Sequence, residues 1–483
     1  VYKRQRYDGS SRFRRGHRFG FFPSFSAGWR VSEEAFFTQA KNYVSNLKLR
    51  LSYGSLGNQK TVGYYDYLQL INTGAVMNYA FGDTTKGDYA YESAPNSTDL
   101  TWETVITKNI GLDLGFLNNR LNVSFDAYIR DTKDMLMAGK TLPGVYGASS
   151  PRMNVADLRT KGWEASITWG DSFTLASKPF NYRIMAGIGD NTSKVTKYDN
   201  PNRTLTDPYE GQQLGEIWGY VVDGYFKTDE EARNYKVDQS FVNQMINASA
   251  LDNGLHAGDL KFVDLDGNNK IEQTTSANDR KDMKVIGNSL PRYNYNFGIS
   301  ADWYGIDFSV LFQGIGKQNW YPGAETSMFW GPYSRPYASF IPSDFMSQVW
   351  SEENTNAYFP RPRGYVALGS NRELAVVNTK YLQNLAYCRL KNLSIGYTLP
   401  DKWLSKIGFE KIRVYFSGEN LLTFTKLHSD YIDPEQASAS NSWKTSKSDA
   451  NIYPWAKTYS FGVDITSVSY THLRAHETLS DLV

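Results

Sequence analysis

The chain has 483 residues and a formal net charge of only +2, with 52 Lys+Arg interspersed among 50 Asp+Glu, so nothing global argues for nucleic acid as a partner. A mean hydropathy of −0.51 and the lack of any run near eighteen apolar residues exclude a transmembrane helix, and the charged opening VYKRQRYDGS does not read as a secretory leader. A single cysteine, Cys388, excludes an internal disulfide framework and a cysteine-rich metal site.

Period-two alternation recurs along the chain, in a composition of 15% aromatic residues and 39 glycines that suits β-strands. NLKLRLSYG turns Leu47, Leu49, Leu51 and Tyr53 to one face and Lys48, Arg50 and Ser52 to the other. IGLDLGF (110–116) alternates likewise, turns at LNNR (117–120) and returns as LNVSFDAYIRD, with Leu121, Val123, Phe125, Ala127 and Ile129 aligned. WEASITW (163–169) follows, then YNYNFGISADW (293–303), a tight turn at Tyr304 and Gly305, and IDFSVLFQG (306–314). KNLSIGYTLP, KIRVYFSGENLL and KTYSFGVDIT close the series. Roughly twelve to fourteen segments result, each about ten residues long, the length a tilted strand needs to cross a bilayer.

The connections alternate in length. LNNR and YG are very short, whereas 194–290 and 314–380 are long, polar and rich in Gly, Pro, Asn and Asp. Short turns at one end, long loops at the other, and aromatics such as Trp163, Trp169, Tyr293 and Trp303 near strand ends predict an all-β, transmembrane antiparallel barrel. A soluble sandwich also alternates, but with shorter strands and loops.

DLDGNNKIE carries a candidate calcium loop. Asp264, Asp266 and Asn268 have one-three-five spacing, Lys270 offers a backbone carbonyl at position seven, and Ile271 falls where the loop packs. Asn269 replaces the usual glycine, and asparagine tolerates the left-handed turn required there. Thr275 stands at position twelve, so Glu272 or Asp279 would have to supply the missing ligand. The alternative is an Asp/Asn-rich turn. The long loops carry Trp320, Tyr321, Trp330, Tyr333, Tyr337, Trp350, Tyr358 and Phe359, which suit either stacking on sugar rings or packing within the loops and against another protein. Asp126, Glu164, Asp302 and Asp307 oppose the apolar faces and should line a lumen. Cys388 lies within a strand as a small packed side chain. No nucleophile–base pair or phosphate-cradling glycine loop is evident, so no enzyme is expected.

RYDGSSRF at 6–13, LKLRLSYGSLGNQ at 47–59, WETVITKNIGLDLGFLNNRLNVSFDAYIRDTKDML at 102–136, NVADLRTKGWEASITW at 154–169, EGQQLGEIWGYVVDGYF at 210–226, GDLKFVDLDGNNKI at 258–271 and YLQNLAYCRLKNLSIGYTLP at 381–400 resemble SusC/RagA-type TonB-dependent outer-membrane transporters of the Bacteroidetes. The resemblance covers nearly all of 6–466. It implies the C-terminal portion of a 22-stranded barrel, with the plug domain and the TonB-contacting segment absent from this chain. It further implies import of an oligosaccharide or peptide, energy from TonB, a SusD-like surface lipoprotein as lid, and surrounding outer-membrane lipid. Within such a barrel the basic run Arg6, Arg12, Arg14, Arg15 and Arg18 reads as a rim loop. A secreted carbohydrate-binding β-protein and a passive porin are the alternative readings.

The ends depart from the family. His472 and His476 in SVSYTHLRAHETLSDLV have the four-residue spacing of a helical zinc pair. However, VSYTHLRAHET resembles a translated transposase-based sequencing adapter, and VYKRQ the same adapter's transposon end read in the opposite sense. Residues 1–5 and 467–483 are therefore expected to be adapter scars, with the barrel segment at 6–466 and Ser467 standing where the family has a terminal aromatic.

Overall fold

A computed structural model describes residues 2–467 apart from 61, 75–88, 94, 98, 140–141, 148–149, 243–253, 335–339, 370–371, 405–408, 438–446 and 449–452. Tyr337 and the tail carrying His472 and His476 lie outside the described residues.

One antiparallel sheet of 12 strands dominates. In chain order its strands are β1 (Tyr2–Gly9), β2 (Phe19–Arg30), β3 (Val44–Asn58), β4 (Glu103–Phe116), β5 (Leu121–Ala138) and β6 (Arg152–Leu175). They continue as β7 (Lys178–Lys197), β8 (Arg292–Trp303), β9 (Ile306–Lys317), β10 (Tyr387–Thr398), β11 (Phe409–Thr425) and β12 (Thr458–Ser467). Each strand pairs only with its sequence neighbours in this sheet, the meander of an up-and-down barrel wall. β1 continues through residues 2–5, pairing Tyr2 with Ser26 by main-chain groups that any non-proline residue supplies.

Strand lengths depart from the ten residues expected. β6 runs 24 residues and β7 runs 20, so these strands extend well past the roughly 9–11 residues a bilayer requires. The connections at one end are brief: 117–120, then Ala176 with Ser177, then Tyr304 with Gly305. Leu117, Asn118, Asn119, Ala176, Ser177 and Tyr304 all take positive φ, as does Gly305 at 86°. Left-handed pairs match the twist of adjoining strands and explain these tight hairpins. At the other end lie 59–102, 139–151, 198–291, 318–386 and 426–457, together with the basic loop at 10–18. There Arg12 Nη1 donates to the Val62 carbonyl at 2.8 Å and Arg18 Nε to the Phe13 carbonyl at 3.1 Å, tying down the rim expected for this run.

The pairing register makes the two faces explicit. Leu49, Leu112, Phe125, Ala165, Ile188 and Tyr295 form one continuous row across β3 to β8. Trp303, Ile306, Tyr397, Val414 and Val463 form another across β8 to β12. Members of these rows are exposed, Phe125 at 40% and Val463 at 56%. An apolar face continuous over so many strands suits hydrocarbon, not water. On β6 the apolar set 163–169 lies between Lys161 and Asp171 of the same parity, which frames a span of bilayer thickness. At the short-turn end Phe173, Phe180 and Tyr182 cluster, with Phe173 and Phe180 ring centroids 5.0 Å apart, in the manner of an interfacial girdle.

The principal hydrophobic core is not in the sheet. The two long loops read as polar connections fold together, with part of 426–437, around Tyr220, Phe262, Trp320, Trp330, Phe359 and Tyr381. Main-chain bonds join them: Tyr220 N–H donates to the Val377 carbonyl at 2.8 Å and Thr379 N–H to the Tyr220 carbonyl at 3.0 Å. Gly219 permits this approach, because a Cβ there would lie 2.7 Å from the Val377 carbonyl oxygen.

Candidate functional site

Opposite the apolar rows, the sheet carries polar and charged side chains. Arg50 on β3 sits in register with Gly111 on β4, which faces Asp126 on β5, so no bulky side chain separates the charges. Its Nε lies 2.8 Å from Asp113 and its Nη2 2.7 Å from Asp126. A fixed guanidinium fork suits such two-carboxylate bridging. A second bridge ties Arg413 to Asp307 at 2.6 Å and to Asp464 at 3.2 Å, joining β9, β11 and β12. Asp302 accepts from Asn181 Nδ2 at 2.8 Å, and Glu164 faces Asp126 in register. Asp126, Glu164, Asp302 and Asp307 therefore share the polar face, as a lumen lining requires.

The loop body stands over the long-loop end. Trp320, Trp330 and Tyr333 are each at most 1% exposed and Trp350 is 7% exposed. Trp330 meets Tyr381 with ring centroids 5.2 Å apart, and Tyr333 meets Phe359 at 5.9 Å. All four lie in the loop-body core, and that burial favours packing within the loops over stacking on sugar rings. Tyr358 is half-buried, stacks on His428 with centroids 3.5 Å apart and lies beneath the Lys380 ammonium. Their period in the sequence carried no such signal, because these partners lie about 20 to 70 residues away on irregular segments.

Buried charge, unseen in the sequence, stitches the body together. Asp259 and Glu373 are both fully buried and both approach Arg363, with Glu373 Oε1 3.1 Å from Arg363 Nε; Arg361 lies 3.9 Å from Asp259. Burial pushes the Glu373 carboxyl up to about 7, against the pull of Arg363, and burial likewise raises Asp259. At the wall, Arg389 of β10 is 2% exposed and holds Asp433 at 2.6 Å and Glu435 at 2.7 Å, while Lys391 also reaches Glu435 at 2.7 Å.

The Asp-rich loop is partly as expected. Asn269 takes φ 61° and Gly267 φ 78°. Asp264 accepts main-chain N–H groups from Gly267 and Asn269, both at 2.7 Å, and Asn268 Oδ1 accepts from Lys270 N–H at 2.8 Å. Ile271 is fully buried in the loop-body core. The third carboxylate differs from expectation. Among the described residues Asp264, Asp266 and Asp282 bring carboxylate oxygens within 4.8 Å of one another, whereas Glu272 and Asp279 are outside that group. Glu272 is held by Lys281 at 3.3 Å and Lys270 at 3.6 Å. Asp282 is buried and accepts from Leu265 N–H at 2.8 Å and Glu272 N–H at 2.7 Å. Burial, with the charges of Asp266 and Asp264, holds its carboxyl above the usual range. The segment 273–281 intervenes before Asp282, so fixed loop spacing could not find it.

An antiparallel wall with an apolar outer face, a charged inner face, tight turns at one end and a folded loop body at the other defines an outer-membrane β-barrel. The family model described as TonB dependent receptor-like, beta-barrel matches residues 5–421, and the chain belongs to that family. It is similar to TonB-dependent receptor P3 of Formosa agariphila, 29% identical over 479 residues that cover 95% of this chain and 43% of that protein. It is also similar to TonB-dependent receptor SusC of Bacteroides thetaiotaomicron, 27% identical over 465 residues, covering 95% of this chain and 41% of that protein. Among solved structures, the RagAB peptide importer in its open-open state shares the fold with TM-score 0.71 and 23% identity, over 96% of this chain and 44% of that one. The SusC/RagA resemblance read from the sequence holds, and the chain spans less than half the length of these relatives.

Proposed function

We propose that this chain forms wall and loop body of an outer-membrane receptor that imports an oligosaccharide or peptide with energy from TonB. A SusD-like lipoprotein would lie over the loop body. The observation that carries this reading is the separation of faces: exposed apolar rows such as Leu49 to Tyr295 on one side, and bridges such as Arg50–Asp113–Asp126 on the other. The chemistry is binding and gated passage, not bond making. Uptake of labelled oligosaccharides and peptides by cells with and without the gene, in tonB-competent and tonB-deficient backgrounds, tests it. Uptake should require both genes, and a surface lipoprotein should co-purify. Uptake indifferent to TonB, or steady open conductance of the purified protein in a planar bilayer, would favour a passive porin instead.

We further propose that Asp264, Asp266, Asn268 and Asp282, with the Lys270 carbonyl, hold calcium. Three converging carboxylates repel one another unless a cation sits among them, and the nearby lysines are engaged by Glu272. Glu272 and Asp279 are not needed for this set.

A further inference from the structure

We infer that the base of the loop body contains a subsite for an acidic sugar residue, one whose ring bears a carboxylate or sulfate. The segment after β7 folds back on that strand: Gly211 N–H donates to the Val195 carbonyl at 2.9 Å and Leu214 N–H to the Ser193 carbonyl at 2.8 Å. This return, together with 277–285, encloses a cavity of about 400 Å³, within the roughly 300–1,000 Å³ range of small-ligand sites.

Three cations line it: Arg203, Arg280 and Lys284. Among the described residues none of them is in an ion pair. Arg203 is aimed by its backbone, with φ 49°, a left-handed conformation that residues other than glycine rarely adopt. Its guanidinium lies 4.8 Å over the Tyr209 ring, Nη2 donates to the Glu210 carbonyl at 3.1 Å, and Nε is buried with no partner. Among the described residues the one lining carboxylate is Glu216, and it is engaged by neighbouring donors of the cavity lining. It accepts from the Tyr209 hydroxyl, from Trp218 Nε1 at 3.1 Å and from Gln213 N–H at 3.4 Å. Glu216 thus fixes the indole plane of half-buried Trp218 at the cavity, while the three cations keep their charge for a ligand.

Unpaired cations beside a fixed aromatic ring match a ligand with an anionic group on a flat-faced ring. An acidic saccharide has both features; an acidic peptide supplies only the charge, and a neutral saccharide only the ring. The inference rests on the import reading for its biological meaning. Binding is measured in micelles without TonB, so failure here leaves the uptake experiment standing, and failed uptake leaves this measurement standing.

The test is calorimetric titration of the full-length protein in detergent with trigalacturonate, a sulfated carrageenan tetrasaccharide, maltotriose and triglutamate. At least one of the first two should bind, at least tenfold more tightly than maltotriose or triglutamate, and more weakly as salt rises. The exposed pair of substitutions Arg280→Gln and Lys284→Gln should weaken it at least tenfold without moving the melting temperature, and Trp218→Leu should separately weaken it at least tenfold. No heat from either acidic saccharide at millimolar concentration, unchanged affinity in the charge variant, or equal binding of triglutamate would overturn the assignment.

Discussion

Arg389 and Asp433 lie 2.6 Å apart, Nη2 to Oδ1, although 44 residues separate them in the chain. The bond ties the wall at β10 to the loop between β11 and β12, and both side chains are almost fully buried. Substituting Arg389→Met leaves Asp433 and Glu435 without their guanidinium. Removing one partner of a buried pair costs about 3–5 kcal/mol. The expected outcome is local opening of 426–437, read as accelerated amide exchange there with the wall strands unaffected. Unchanged exchange in that segment would contradict it.

The acidic loop predicts calcium-dependent stability. A cation bound only by the folded loop adds about 2.7 kcal/mol at a hundredfold excess over Kd. Calcium should therefore raise the unfolding temperature of the loop body and chelation lower it. Asp266→Asn, at an exposed position, should weaken the response, and Asp282→Asn should abolish it. Identical melting of the unsubstituted protein in calcium and in chelator would dismiss the site.

Glu373 predicts a pH dependence of definite sign. Its folded-state value of about 7 lies above the ordinary 4.5, so between those values the folded loop body binds more protons than the unfolded one. Stability is then greatest below about pH 4.5 for this group and falls as pH rises to about 7. Resistance of the loop body to brief proteolysis should decline over that window. Glu373→Gln should flatten the decline, since Asp259, Arg361 and Arg363 remain. A profile that rises over the window would reverse the assignment.

The turn at Tyr304 and Gly305 predicts a steric cost. Gly305 has φ 86°, and a Cβ there would sit 2.6 Å from the Thr398 carbonyl oxygen. Gly305→Ala should destabilise the β8–β9 hairpin by about 1 kcal/mol or more, seen as a lower yield of folded protein in micelles. Gly144, with open space around it, is the control that should tolerate alanine.

How much of this was legible beforehand follows from what kind of order each part has. The wall was readable because a period of two survives any register, so Leu49, Leu51 and Phe125 fell on the outer face from local pattern alone. Asn269 and Ile271 were readable because turn chemistry and loop packing are local. Trp320, Trp330 and Tyr333 were not, because irregular segments have no period to show which face is buried. Asp282 was missed because an inserted stretch displaces it from the spacing that defines a calcium loop. Asp259, Arg363 and Glu373 meet only through tertiary contacts more than 100 residues apart in the first pair.

One face of the sheet meets lipid and the other a polar lumen. Phe125 and Ser124 are adjacent on β5 and fall on opposite faces, Phe125 opposite Leu112 and Ser124 opposite Asp113. In a Cys388→Ser background, Phe125→Cys and Ser124→Cys are spin-labelled in the full-length protein reconstituted in lipid. Relaxation by oxygen, which concentrates in the bilayer, is compared with relaxation by a water-soluble nickel chelate. The Phe125→Cys label should respond to oxygen and the Ser124→Cys label to nickel. Equal nickel accessibility at both positions would contradict a membrane-spanning wall.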